Sequence, residues 1–132
     1  MNDKEALLTY RFVQAEETLA DAKKMLENNL SPRSVVNRTY YAMFYLLLAL
    51  FLKTDINIKT SKHAAVISIF DREFVHKGIV SIHHSKSLHK IFEARQRADY
   101  KELVHISSAD AAEYVKFAED FFKEIKKLIV EH

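Results

Sequence analysis

Residues 31–53 read SPRSVVNRTYYAMFYLLLALFLK, and this stretch decides the fold. Ser31 before Pro32 is a helix-start signal: a serine oxygen can accept from an early amide, and proline's fixed φ suits the first helical position, where its missing N–H costs nothing. Val36, Tyr40, Met43, Leu47 and Leu50 then recur at helical spacing on one stripe. Tyr41, Phe44, Tyr45, Leu48 and Phe51 cover most of the remaining circumference. A helix apolar nearly all round belongs either at the centre of a bundle or at an interface between subunits. The unbroken apolar run, Tyr40 to Leu52, is 13 residues long. That is short of the roughly 18–20 residues that span a bilayer, and Arg38 and Lys53 flank it closely. It therefore reads as a core helix, and no membrane partner is expected.

The flanking segments repeat the helical period. Asn2 with Glu5 resembles a capping box, and Leu8, Phe12, Ala15, Leu19, Ala22 and Leu26 follow as one stripe until Asn28-Asn29. Beyond a polar connection at 54–59, Thr60 or Ser61 can cap a third helix with the stripe His63, Ile67, Phe70 and Phe74. Gly78 after His76-Lys77 is a helix stop with cations in the last turn. A fourth helix starts between Ser81 and Ser85 and runs to about Tyr100, with Leu88, Ile91, Arg95 and Ala98 on one face. Ser107 or Ser108 caps a fifth, whose stripe is Ala111, Tyr114, Ala118, Phe121, Ile125 and Leu128. No strand pattern appears. The expectation is an all-α fold: one domain over 1–132, an antiparallel up-and-down helical bundle of four long helices plus a shorter one.

Composition narrows the chemistry. The 132 residues contain one glycine, one proline and no cysteine. A Gly-rich phosphate loop, a dinucleotide fold, disulfides, a thiol nucleophile and cysteine-based metal sites are thereby excluded. His83-His84 and His89 lack same-face ligand spacing, so neither a metal nor a cofactor is expected. The N-terminus MNDKEALLTY is no signal peptide, and the cytoplasm is the expected location. The net charge of +2 hides a gradient: residues 31–101 carry 12 Lys/Arg against 5 Asp/Glu, while both ends are net acidic. A basic middle with five of the seven histidines suits an anionic partner if those charges share a face; scattered over the surface, they do nothing of the kind.

Three misfits mark candidate site residues. Arg95 falls on the stripe that should face the core, where a cation needs a partner or a wet cleft. Asp99, one turn later, can pair with it. Such a pair is either a structural pin or the edge of a phosphate-binding cleft, since a guanidinium fork suits anionic oxygens. Arg38 and Tyr41, three residues apart in the most apolar helix, either pack at the helix end or complete the same cleft. His63 on the apolar side of helix three is either a hydrogen-bonded core residue or an acid–base group.

The order N-R-T-Y-Y-A-M-F on helix two, S-K-H-A-A-V-I-S-I-F on helix three and F-E-A-R-Q-R-A-D-Y at the end of helix four resembles the HEPN domain (higher eukaryotes and prokaryotes nucleotide-binding), in particular its small free-standing, uncharacterised prokaryotic group. The resemblance covers nearly the whole chain. It implies a bundle of about five helices, commonly a homodimer, and for many relatives a partner nucleotidyltransferase of the MNT type in a toxin–antitoxin pair. Active relatives are metal-independent ribonucleases with an arginine followed four to six residues later by a histidine. Arg95 matches that arginine, but Asp99-Tyr100 stand at the histidine place, and a phenol with an ordinary pKa of about 10 is a poor proton shuttle. Three functions follow as expectations. One is a nucleotide- or RNA-binding module using Arg38, Tyr41, His63, Arg95 and Asp99. The second is a ribonuclease with catalytic Arg95 and Tyr100, or His63 as stand-in. The third is a dimerising helical adaptor without catalysis.

Overall fold

The computed structural model describes residues 2–60, 62–100 and 105–130, with the backbone alone at Tyr100. Five α-helices follow one another: α1 (Asp3–Glu27), α2 (Pro32–Lys53), α3 (His63–Phe70), α4 (Ile82–Tyr100) and α5 (Ser108–Val130). Among the described residues there is no strand. The sequence signals explain most of the boundaries. Asn2 Oδ1 accepts from the Glu5 amide at 2.8 Å, and Ser31 Oγ accepts from the Ser34 amide at 3.2 Å ahead of Pro32. At α5, Ser107 and Asp110 exchange amide-to-side-chain bonds of 3.0 and 3.2 Å, a reciprocal cap that uses two otherwise unpaired donors. Asn29, at φ 57°, ends α1 in the left-handed region, while the Leu30 amide returns to the Met25 carbonyl.

α2 is the axle of the molecule and packs against α1, α4 and α5. Tyr40, Met43, Leu46, Leu47, Ala49 and Leu50 have no exposed surface. Of the two settings open to an all-round apolar helix, the centre of the bundle accounts for most of its surface. Pro32–Lys53 as a whole is long and apolar enough to cross a membrane, but 67% of its apolar window is buried inside the chain. What remains half-buried on α2 is a strip including Tyr41, Tyr45 and Leu48. On α5 the buried set is turned slightly from the expected stripe. Val115, Phe122 and Ile129 join Ala111, Ala118, Phe121 and Ile125, while Tyr114 and Leu128 sit at its edge.

The third helix departs from expectation twice. Neither Thr60 nor Ser61 caps it. Lys62 is the N-cap and makes no side-chain cap bond, the Thr60 hydroxyl accepts from the Lys62 amide instead, and Ser61 lies outside the described residues. The helix also widens into a π turn over Asp71–Val75. Apolar periodicity cannot signal such a turn, because Phe70 and Phe74 are buried either way. Asp71 holds it to α4: Ser85 Oγ donates to Asp71 Oδ1 at 2.6 Å, and His89 Nε2 lies 2.6 Å from Oδ2. Gly78 follows at φ 75°, a conformation that costs a residue with a Cβ. Gly78→Ala should therefore lower stability by about 1 kcal/mol although nothing crowds the position, read as a lower denaturation midpoint with an unchanged slope.

Buried His84 on α4 gives the fold an acid sensitivity. Its Nδ1 has no hydrogen-bond partner among the described residues. Burial, reinforced by His83, lowers its pKa against the weaker opposing pull of Glu124 and Asp120. A histidine whose folded pKa is depressed opposes folding once the unfolded chain binds the proton. Stability should fall as pH drops below the ordinary histidine range near 6.5. A melting temperature that declines from about pH 7 to pH 5, less steeply in His84→Gln, is the expected result.

Candidate functional site

The candidate site draws its side chains from three helices, α2, α3 and α4. α4 supplies Arg95, because its position seven after Leu88 and four after Ile91, both fully buried, turns it inward. Its side chain is 20% exposed. Arg95 Nη2 donates to Tyr41 Oη at 3.1 Å, and Nε lies 3.0 Å from Asp99 Oδ2. That second contact is an ion pair without hydrogen-bond alignment, so the buried Nε–H has no hydrogen-bond acceptor among the described residues. The guanidinium carbon stands 5.2 Å from the Tyr41 ring centre and 5.6 Å from that of Tyr40, and both π faces favour the cation.

α3 supplies His63, stacked on Phe44 with ring centres 4.0 Å apart and edge-on to Tyr41 at 5.7 Å. Its Nδ1 is 2.8 Å from Tyr40 Oη. Burial, and secondarily the Arg95 charge, lowers the His63 pKa, which favours the neutral ring. Burial raises the Tyr40 phenol pKa strongly, with Arg95 opposing and Tyr41 adding to the rise, so that hydroxyl keeps its proton. The assembled groups are one guanidinium balanced by one carboxylate, a neutral imidazole and two phenols. Such a set has the donors to hold an anion by hydrogen bonds.

Arg95, Asp99, Tyr41 and His63 are thus brought together. Arg38 is not: it lines a groove against α1 with Thr9, Gln14, Asp21 and Tyr45. Tyr100 has its side chain outside the described residues. Tyr40 is the site residue that the sequence concealed. A tyrosine on an apolar stripe looks like core packing, and it is fully buried, yet its hydroxyl meets His63 and its ring lies against the Arg95 guanidinium. Among the described residues no cluster of His, Cys, Asp or Glu could hold a metal ion.

Fold and site together define an all-α bundle protein with a guanidinium and an imidazole gathered around Tyr40 and Tyr41. The family profile for the HEPN domain matches residues 9–128, and the chain belongs to that family. It is 40% identical to a "UPF0332 protein" of Thermotoga maritima over 129 residues, 98% of this chain and 96% of that one. Two chains of Methanocaldococcus jannaschii are also similar. "Putative toxin MJ0605" is 37% identical over 89% of this chain and 84% of its own, and "Putative toxin MJ0142" is 28% identical over 91% and 80%.

Proposed function

We propose that this chain is a small HEPN module that holds a phosphate of a nucleotide or of RNA between Arg95, His63 and Tyr41. In this reading it acts in a toxin–antitoxin pair with a nucleotidyltransferase of the MNT type. The observation that carries the proposal is the inward guanidinium of Arg95, whose single carboxylate partner leaves donors over for a ligand. The names of the two archaeal relatives support the toxin–antitoxin setting. A second reading, metal-independent RNA cleavage, is favoured by one fact: an imidazole stands near Arg95, though from α3 rather than from the arginine's own helix. Incubating the protein with an RNA oligonucleotide in EDTA separates the two. Salt-sensitive binding without cleavage is the expected result. Cleavage that Arg95→Ala abolishes would replace binding by catalysis, and neither activity would leave a helical adaptor.

The protein is also proposed to work as a homodimer through the α1–α2 face. Leu7, Tyr10 and Val13 are 43%, 57% and 43% exposed there, and the half-buried strip with Tyr45 and Leu48 lies alongside. An exposed apolar patch of this kind, edged by polar side chains, suits a second copy of the chain. Val13→Asp should convert a dimer into a folded monomer in light scattering. A wild-type protein already monomeric at micromolar concentration overturns the dimer.

A further inference from the structure

We infer that Tyr40 is a positioning residue that locks His63 as the Nε2–H tautomer, so that the imidazole meets the ligand as a hydrogen-bond donor beside Arg95. Its action on a ligand rests on the phosphate-binding reading; the tautomer itself does not. Tyr40 has no exposed surface, and the partner of its hydroxyl among the described residues is His63 Nδ1 at 2.8 Å. Two arrangements of that bond exist. If Nδ1–H donated to the phenol oxygen, the phenol's own proton would be buried without an acceptor. If the phenol O–H donates to Nδ1, the buried phenol proton is paired and the imidazole proton sits on Nε2, away from the phenol. A buried donor left unpaired is the costlier state, which fixes the phenol as donor, Nδ1 as acceptor and Nε2 as the protonated nitrogen.

The same bond resists protonation of His63. An imidazolium carries hydrogen on both nitrogens, so Nδ1–H would face the phenol and strand its proton. The surrounding groups act in the same direction. From α2, Tyr40, Tyr41 and Phe44 surround the ring, and from α4 the Arg95 charge repels an imidazolium. Asp99 is engaged by Arg95, and Lys62 precedes His63 on its own element. The imidazole therefore stays a neutral donor through the neutral pH range, and anion affinity should hardly depend on pH there.

Long-range nitrogen–proton NMR on the full chain, with the His63 signals assigned by His63→Gln, tests the tautomer directly. The expected wild-type spectrum shows a protonated Nε2 and an acceptor Nδ1, and Tyr40→Phe turns this into a mixture of both tautomers. A wild-type Nδ1–H form, or a Tyr40→Phe spectrum unchanged from wild type, overturns the inference. Because the wild-type spectrum decides by itself, poor folding of the variant does not remove the test. Titration with 5′-AMP reads the consequence. The wild-type Kd should change less than about twofold between pH 8 and pH 6.5, whereas Tyr40→Phe should bind about three- to tenfold tighter at the lower pH as its His63 gains charge. A wild-type Kd as steep with pH as that of the variant counts against the lock. If the tautomer is as expected and AMP does not bind at any pH, the assignment of Tyr40 stands and the phosphate-binding reading fails.

Discussion

Arg95→Ala should abolish measurable binding of RNA or AMP, with a loss on the order of 100-fold in affinity or more, and leave a folded protein. The size follows from what one side chain does here. It supplies the cation of the recess, its donors are arranged in a plane, and it lies over two aromatic rings that keep water from its faces. The loss is that of a charge-assisted contact to the ligand, since Asp99 is exposed and stays solvated when left alone. The conservative change is equally informative. Arg95→Lys keeps the charge but loses the fork, and a point charge cannot hold Tyr41, Asp99 and a ligand at once. It should recover less than about a tenth of the lost affinity. Asp99→Asn should act in the opposite sense. Freed from its carboxylate, the guanidinium offers more to an anion, and the affinity for AMP should rise by a few-fold. Filter binding or calorimetry at fixed salt measures all three. Full affinity in Arg95→Ala would move the ligand site elsewhere.

Phe121→Ala should cost about 3–5 kcal/mol, which for a chain of this length lowers the melting temperature by about 10–20 °C. Phe121 is fully buried on α5 and meets Phe70 of α3 edge-to-face at 5.8 Å and His84 of α4 at 6.2 Å. It thereby ties α5 to both helices that supply the imidazole and the guanidinium. Truncation leaves a cavity that fully packed neighbours can close only in part. The effect should appear in calorimetry as a lower midpoint. A change of less than about 1 kcal/mol would mean that the core relaxes into the gap.

How much of this was legible in the sequence differs from element to element. Helix ends governed by a local rule were plain in the residues. Asn2, Ser31-Pro32, Asn28-Asn29, Gly78 and Ser107 act through neighbours two to four positions away. The π turn at Asp71–Val75 was not legible, since the clamp on it comes from Ser85 and His89, more than a dozen residues further on. The inward turn of Arg95 was legible from Leu88 and Ile91, and so was its pairing with Asp99. Arg38 shows the limit of spacing arguments. Residues three apart on a helix still differ by about 60° around its axis, enough for Tyr41 to meet α4 while Arg38 faces α1. Periodicity says which way a side chain leans but not which neighbour waits there. For the same reason the hydroxyl of Tyr40, the group that engages His63, was hidden behind its own ring.

Because the recess is assembled from α2, α3 and α4, none of its parts exists as a binding site in an extended chain. In the proposed reading, ligand occupancy and folding are therefore thermodynamically linked. Any molecule that fits should protect the protein from heat and proteases in proportion to the logarithm of its concentration, by about 2.7 kcal/mol at a hundred times its Kd. A panel of nucleotides screened by thermal shift would then test the proposed binding, without any assay of what the protein does to them.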